Sequence, residues 1–147
     1  MAERTERNVL EHLIEICRDG ERGFHLAADH VSDPAIKVLF LKFANQRRRF
    51  AVDLVPHLQR LGGRPDVNGT GTGTLHRVWM ELKDRVAGNH DHMIIKETER
   101  GEHIALMAYQ EALNGMLPPT VTDLIEKQRD EIQEAAERIR AIELTPQ

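Results

Sequence analysis

The stretch Glu97-Thr98-Glu99-Arg100-Gly101-Glu102-His103 sets two carboxylates, Glu99 and Glu102, where a helical apolar stripe calls for leucine. Glu99 lies four residues after Ile95 and Glu102 four before Leu106, so both project with the stripe. Side chains three apart on one helix face can reach a common ion. Three other helical patterns are interrupted in the same way near mid-length. Glu21 falls between Cys17 and Phe24. Gln46 falls between Phe43 and Phe50, with Arg49 at the edge of the same face. Gln128 falls between Ile125 and Ile132, with Glu131 close behind it. Burying a charge is costly unless the charge is paired, hydrogen-bonded or bound to metal, so four coincident interruptions ask for a shared cause. One candidate is a metal centre held by Glu21, Glu99, Glu102 and Glu131. The other is a polar network in which Gln46, Arg49 and Gln128 hold the glutamates by hydrogen bonds and charge.

The residue types favour the network. Gln46 is neutral and a weak ligand, and Arg49 brings a permanent positive charge that repels a cation. An inward Arg49 could hold the glutamates with no metal at all, so no cofactor is expected. If the glutamates do bind an ion, their all-oxygen set suits a hard ion such as Mn or Mg better than Zn. Other chemistry is weaker. His90-Asp91-His92 reads as solvated capping residues, His25 and His30 diverge on their helix, and His103, four after Glu99, reads as exposed. No Ser/His/Asp or Cys/His nucleophile arrangement, phosphate-binding glycine loop or paired zinc cysteines occur, and Gly69-Thr-Gly-Thr-Gly73 lacks the lysine of a P-loop.

These side chains need helices to position them. Thr5 caps a first helix over about 5–30, whose stripe is Leu10, Leu13, Ile14, Cys17, Phe24, Ala28 and Val31. Asp33-Pro34 stops it and opens a second, about 34–61, in which Pro56 predicts a kink or an early end. Residues 62–74, GGRPDVNGTGTGT, form a surface loop. A short connecting helix follows over about 75–87 with Trp79 on its stripe. The third helix spans about 91–113 and the fourth, capped by Thr120, about 120–144. Short links pair the first helix with the second, and the third with the fourth, as antiparallel hairpins. The long link between the hairpins predicts a crossover, hence a ferritin-like antiparallel four-helix bundle, all-α, with residues 1–147 as a single domain.

Composition agrees. The chain is 40% hydrophobic, 30% charged and only 4% aromatic, with a formal net charge of −4. An interspersed charge of this sign gives no footprint for nucleic acid, and Arg47-Arg48-Arg49 reads as a solvated helix face. No apolar run approaches a membrane span, no secretory leader is visible, and the lone Cys17 reads as a small buried hydrophobe, so a cytoplasmic protein is expected. A homodimer that buries Trp79 is an open expectation; no other protein partner is indicated.

Certain local pieces go further: Asp19-Gly20-Glu21-Arg22-Gly23-Phe24, Gln46-Arg47 with Phe50-Ala51, Leu61-Gly62-Gly63-Arg64-Pro65, His76-Arg77 with Trp79, and Glu99-Arg100-Gly101-Glu102. With Tyr109, Leu117-Pro118-Pro119 and Arg138-Ile139-Arg140, their order and spacing from about Asn8 to Glu143 resemble a bacterial ferritin-like four-helix-bundle family with a domain of unknown function, distantly related to rubrerythrins. The resemblance implies a di-iron site with one Glu on the first helix, Glu-x-x-His on the second, a Glu pair on the third and Glu-x-x-His on the fourth. By position these fall on Glu21, on Gln46 and Arg49, on Glu99 and Glu102, and on Gln128 and Glu131. The first and third contributions are kept, and the second and fourth depart. The expected protein is therefore a non-enzymatic bundle with a degenerate di-metal site, stress-associated as the resemblance implies. The alternative is a di-iron oxidase, peroxidase or iron-handling protein using Fe or Mn.

Overall fold

The computed structural model describes residues 5–63, 77, 79–80 and 91–144. Among them are four long helices and no strand. Helix α1 spans Glu6–His30 and α2 spans Pro34–Arg60; α3 spans Asp91–Leu113 and α4 spans Pro119–Leu144. The expected connecting helix over 75–87 lies outside the described residues except at Arg77, Trp79 and Met80.

The helix starts follow local chemistry. The Thr5 hydroxyl accepts from the Asn8 N–H at 3.1 Å, satisfying a donor that the first turn leaves unpaired. Asp33 does the same for α2, accepting from Ala35 and Ile36, and Pro34 fills the first turn, where its missing N–H costs nothing. Helix α2 runs through Pro56 to Arg60, so no early end occurs. It stops at Gly62, whose φ of 79° only glycine adopts freely, while the Gly62 and Gly63 N–H groups close on the carbonyls of Gln59 and Leu58. Helix α4 begins at Pro119, which places Thr120 inside the first turn instead of at the cap.

Helix α1 packs most extensively on α2, α3 on α4, and α1 on α3, whereas α2 and α4 touch sparingly. The three-residue turn between α1 and α2 makes those two antiparallel. The Asp91 carboxylate fixes the next step by accepting from the N–H groups of Ser32 at 2.8 Å and Asp33 at 3.1 Å. Helix α3 thus starts beside the α1–α2 turn, runs antiparallel to α1, and has the direction of α2. The end of α2 and the start of α3 therefore lie at opposite ends of the bundle, about 40 Å apart at 1.5 Å per residue.

One apolar core runs between the helices, from Leu10, Leu13 and Ile14 through Phe24, Phe40 and Phe43 to Tyr109, Ile132 and Ile139. Phe24 is its hub, with ring centroids 5.8 Å from Phe40, 5.5 Å from Phe43 and 5.6 Å from Trp79. Trp79 is buried against the chain's own helices. No described helix is long and apolar enough to cross a membrane.

Candidate functional site

Near mid-length, a buried arginine occupies the space between α1, α2 and α3. It is Arg47, not Arg49: Arg47 is 1% exposed, while Arg48 and Arg49 face solvent, so the basic run is a solvated face at two positions only. Gly20 on α1 packs directly against Arg47. A Cβ there would lie 3.4 Å from Arg47 Cγ and 3.5 Å from its Nη1. The guanidinium donates to both carboxylate oxygens of Glu102, through Nη1 at 2.6 Å and through Nη2, and it sits 5.3 Å over the Phe24 ring. Its Nε donates to Gln46 Oε1 at 3.2 Å. Burial pulls the Arg47 pKa down, but the adjoining Glu102 charge and its hydrogen bonds outweigh this and hold the group above its ordinary value.

A neutral chain of hydrogen bonds adjoins the pair. The Tyr109 hydroxyl donates to Gln128 Oε1 at 2.7 Å, and Gln128 Nε2 donates to the Phe50 carbonyl at 3.3 Å. Cys17 Sγ lies 3.0 Å from the Tyr109 oxygen. Because that hydroxyl hydrogen goes to Gln128, the thiol is the donor in the Cys17 contact. Burial pushes the Cys17 thiol up to about 11 against the lowering effect of the Tyr109 hydrogen bond, and burial likewise raises Tyr109 well above its usual value. Cys17 is thus a buried partner in a polar chain and more than the small hydrophobe its stripe suggests.

The predicted site residues separate into two groups. Glu102 and Gln128 are buried at the centre, and Gln46 reaches it from a half-buried position. Glu21, Glu99 and Glu131 are only half-buried. Glu99 lines a cavity of about 330 Å³ between α3 and α4, in company with His103, Glu137 and Arg140. Among the described residues no three His, Cys, Asp or Glu side chains gather to hold a metal ion. The di-metal set that the resemblance implies does not fit this centre, because both Glu102 oxygens face a guanidinium and Gln128 is engaged at its oxygen and its nitrogen.

Sequence reading missed a second feature. The Trp79 indole lies between α1 and α3, where a Cβ on Gly23 would meet its ring at 2.0 Å and one on Gly101 at 2.9 Å. The same pattern surrounds both glycines: Asp19-x-Glu21-Arg22-Gly23-x-His25 and Glu97-x-Glu99-Arg100-Gly101-x-His103. Asp19 and Glu97 are both buried, with Arg22 and Arg100 at 3.6 and 3.8 Å. Two antiparallel helices bearing one pattern and meeting one ring define a local two-fold axis through Trp79. The signal was present as the repeated Glu-Arg-Gly-x-His.

A family model described as Domain of unknown function (DUF2383) matches residues 5–115. The chain belongs to the DUF2383 family. The match spans α1 to α3, so Arg47, Glu102, Gly20 and both copies of the repeat fall inside the DUF2383 region, whereas Gln128 and Glu131 on α4 lie beyond it. No curated protein matches the chain.

Proposed function

We propose that this DUF2383 protein is a non-enzymatic, ferritin-like bundle with a structural or interaction role, in which an ion pair has taken the position of a di-metal site. The observation that carries this reading is the two-pronged Arg47–Glu102 pair, buried at mid-bundle and covered by Phe24. A guanidinium placed there does the neutralising that a metal would otherwise do, and it cannot be deprotonated to admit one. The parallel run of α2 and α3 supports the ferritin-like topology. Anaerobic Fe(II) loading followed by exposure to O₂ tests the reading. The expected outcome is Fe(II) oxidation no faster than in protein-free buffer. Binding of two iron equivalents with rapid oxidation that Glu102→Gln abolishes would overturn it.

A further inference from the structure

The two copies of the repeat also agree at positions that core packing does not explain. Glu21 is half-buried and His25 exposed, with Oε2 and Nε2 4.0 Å apart. Glu99 and His103 hold the same places on α3, with the same degrees of burial, and both line the cavity between α3 and α4. A solvent-facing side chain is free of the volume constraints that fix core residues, so repetition of the same two donor types four residues apart asks for a cause outside packing. Side chains at i and i+4 share a helix face, the arrangement by which two helical histidines hold one zinc. A tetrahedral zinc with bonds of about 2.0–2.2 Å sets its donors roughly 3.3 Å apart, so a small change of side-chain torsion closes the gap in the α1 pair.

We propose that Glu21–His25 and Glu99–His103, at matching positions on the two helices, are surface clamps for a divalent first-row transition-metal ion. Each clamp supplies one carboxylate oxygen and one imidazole nitrogen and leaves the remaining coordination positions to water. The mixed donors suit Zn²⁺ or Cu²⁺ better than Mg²⁺ or Ca²⁺, which take oxygen sets. The α3 clamp faces Glu137 and Arg140 across its cavity, one charge of each sign, so the net field of those two neighbours does not oppose a cation. The proposal is independent of the central ion pair, since both histidines are exposed whereas Arg47 and Glu102 are buried.

Titration of the full chain with ZnCl₂, followed by calorimetry and by the imidazole ¹H–¹⁵N signals, tests the proposal. Two equivalents per chain are expected, with His25 and His103 shifting together. His25→Ala removes one equivalent and leaves the His103 response intact; His103→Ala does the reverse; the double variant binds at least about tenfold more weakly, a loss of about 1.4 kcal/mol. Binding at one helix alone, no response of either imidazole at millimolar Zn²⁺, or undiminished uptake by the double variant would each overturn it. The second of these results would leave an ordinary Glu–His ion pair on α1 and two unlinked side chains on α3. Both histidines are exposed, so the alanine variants keep the core, and unchanged circular dichroism verifies that.

Discussion

Residues 16–27 of α1 and 94–105 of α3 are one pattern used twice, and they part company where they meet the bundle centre. Ile16 and Ile94, Glu21 and Glu99, Arg22 and Arg100, Gly23 and Gly101, His25 and His103, and Ala27 and Ala105 are identical in type. The two isoleucines and both alanines are buried alike. The copies differ at Gly20 against Thr98 and at Phe24 against Glu102. Three of these four positions meet Arg47. Gly20 packs against its side chain while Thr98 is turned to the Ile95 carbonyl; Phe24 offers a ring face and Glu102 a charge. The shared glycines meet Trp79, and three of the positions that differ meet the polar centre.

The comparison is broken most severely at Glu102. Glu102→Ala leaves a buried guanidinium unpaired and is expected to cost about 3–5 kcal/mol in urea unfolding, whereas Arg47→Met with Glu102→Leu should recover most of that loss. A single variant as stable as the parent would show that the pair is solvated in solution.

Next in size is an alkaline effect, since Cys17 aligns with Ile95 and is a further departure from symmetry. The thiol ionises near 9 when unfolded and near 11 when folded. The folded chain therefore keeps this proton longer, stability is full below about pH 9, and it falls by about 1.4 kcal/mol for each pH unit up to 11. Tyr109 acts in the same direction. Melting temperatures between pH 8 and 11 should drop, and Cys17→Val should remove the part of the drop that begins near 9.

The glycine slot sharpens the shared half of the pattern. Gly23→Ala drives a methyl into the indole and should destabilise by about 1–3 kcal/mol; Gly101→Ala, with a longer approach to the ring edge, should cost less. Equal losses would place Trp79 on the axis more evenly than the distances do. The smallest effects belong to Arg22→Ala and Arg100→Ala. Both arginines are half exposed, so each should stay within about 1 kcal/mol, and the two should match in a denaturation series.

The stripes and caps were legible because each rests on neighbours in sequence: Thr5, Asp33 and Pro34 act within one turn of themselves. Glu102 and Gln128 were legible for the same reason, as polar residues at core spacing. The choice between Arg47 and Arg49 was not. Arg47 lies four after Phe43 and three before Phe50, so it shares the stripe with Gln46, and helical spacing alone cannot rank them. What ranks them is the Glu102 carboxylate on another helix, a tertiary fact. Glu21 and Glu99 are only half-buried for a related reason, because each lies at a stripe edge from which a carboxylate can reach water.

Asp91 has a consequence for the order in which the chain folds. Contacts within each hairpin close over short loops and form early, whereas joining the hairpins means closing a much longer loop, and that closure entropy is met before any packing repays it. The acceptors for that joining belong to Asp91, but the donors, the Ser32 and Asp33 N–H groups, point together only once the α1–α2 turn exists. The first hairpin thus acts as a template, and the second docks on a landmark already built. Asp91→Ala should slow refolding more than it speeds unfolding, the signature of a contact made by the time of the folding barrier.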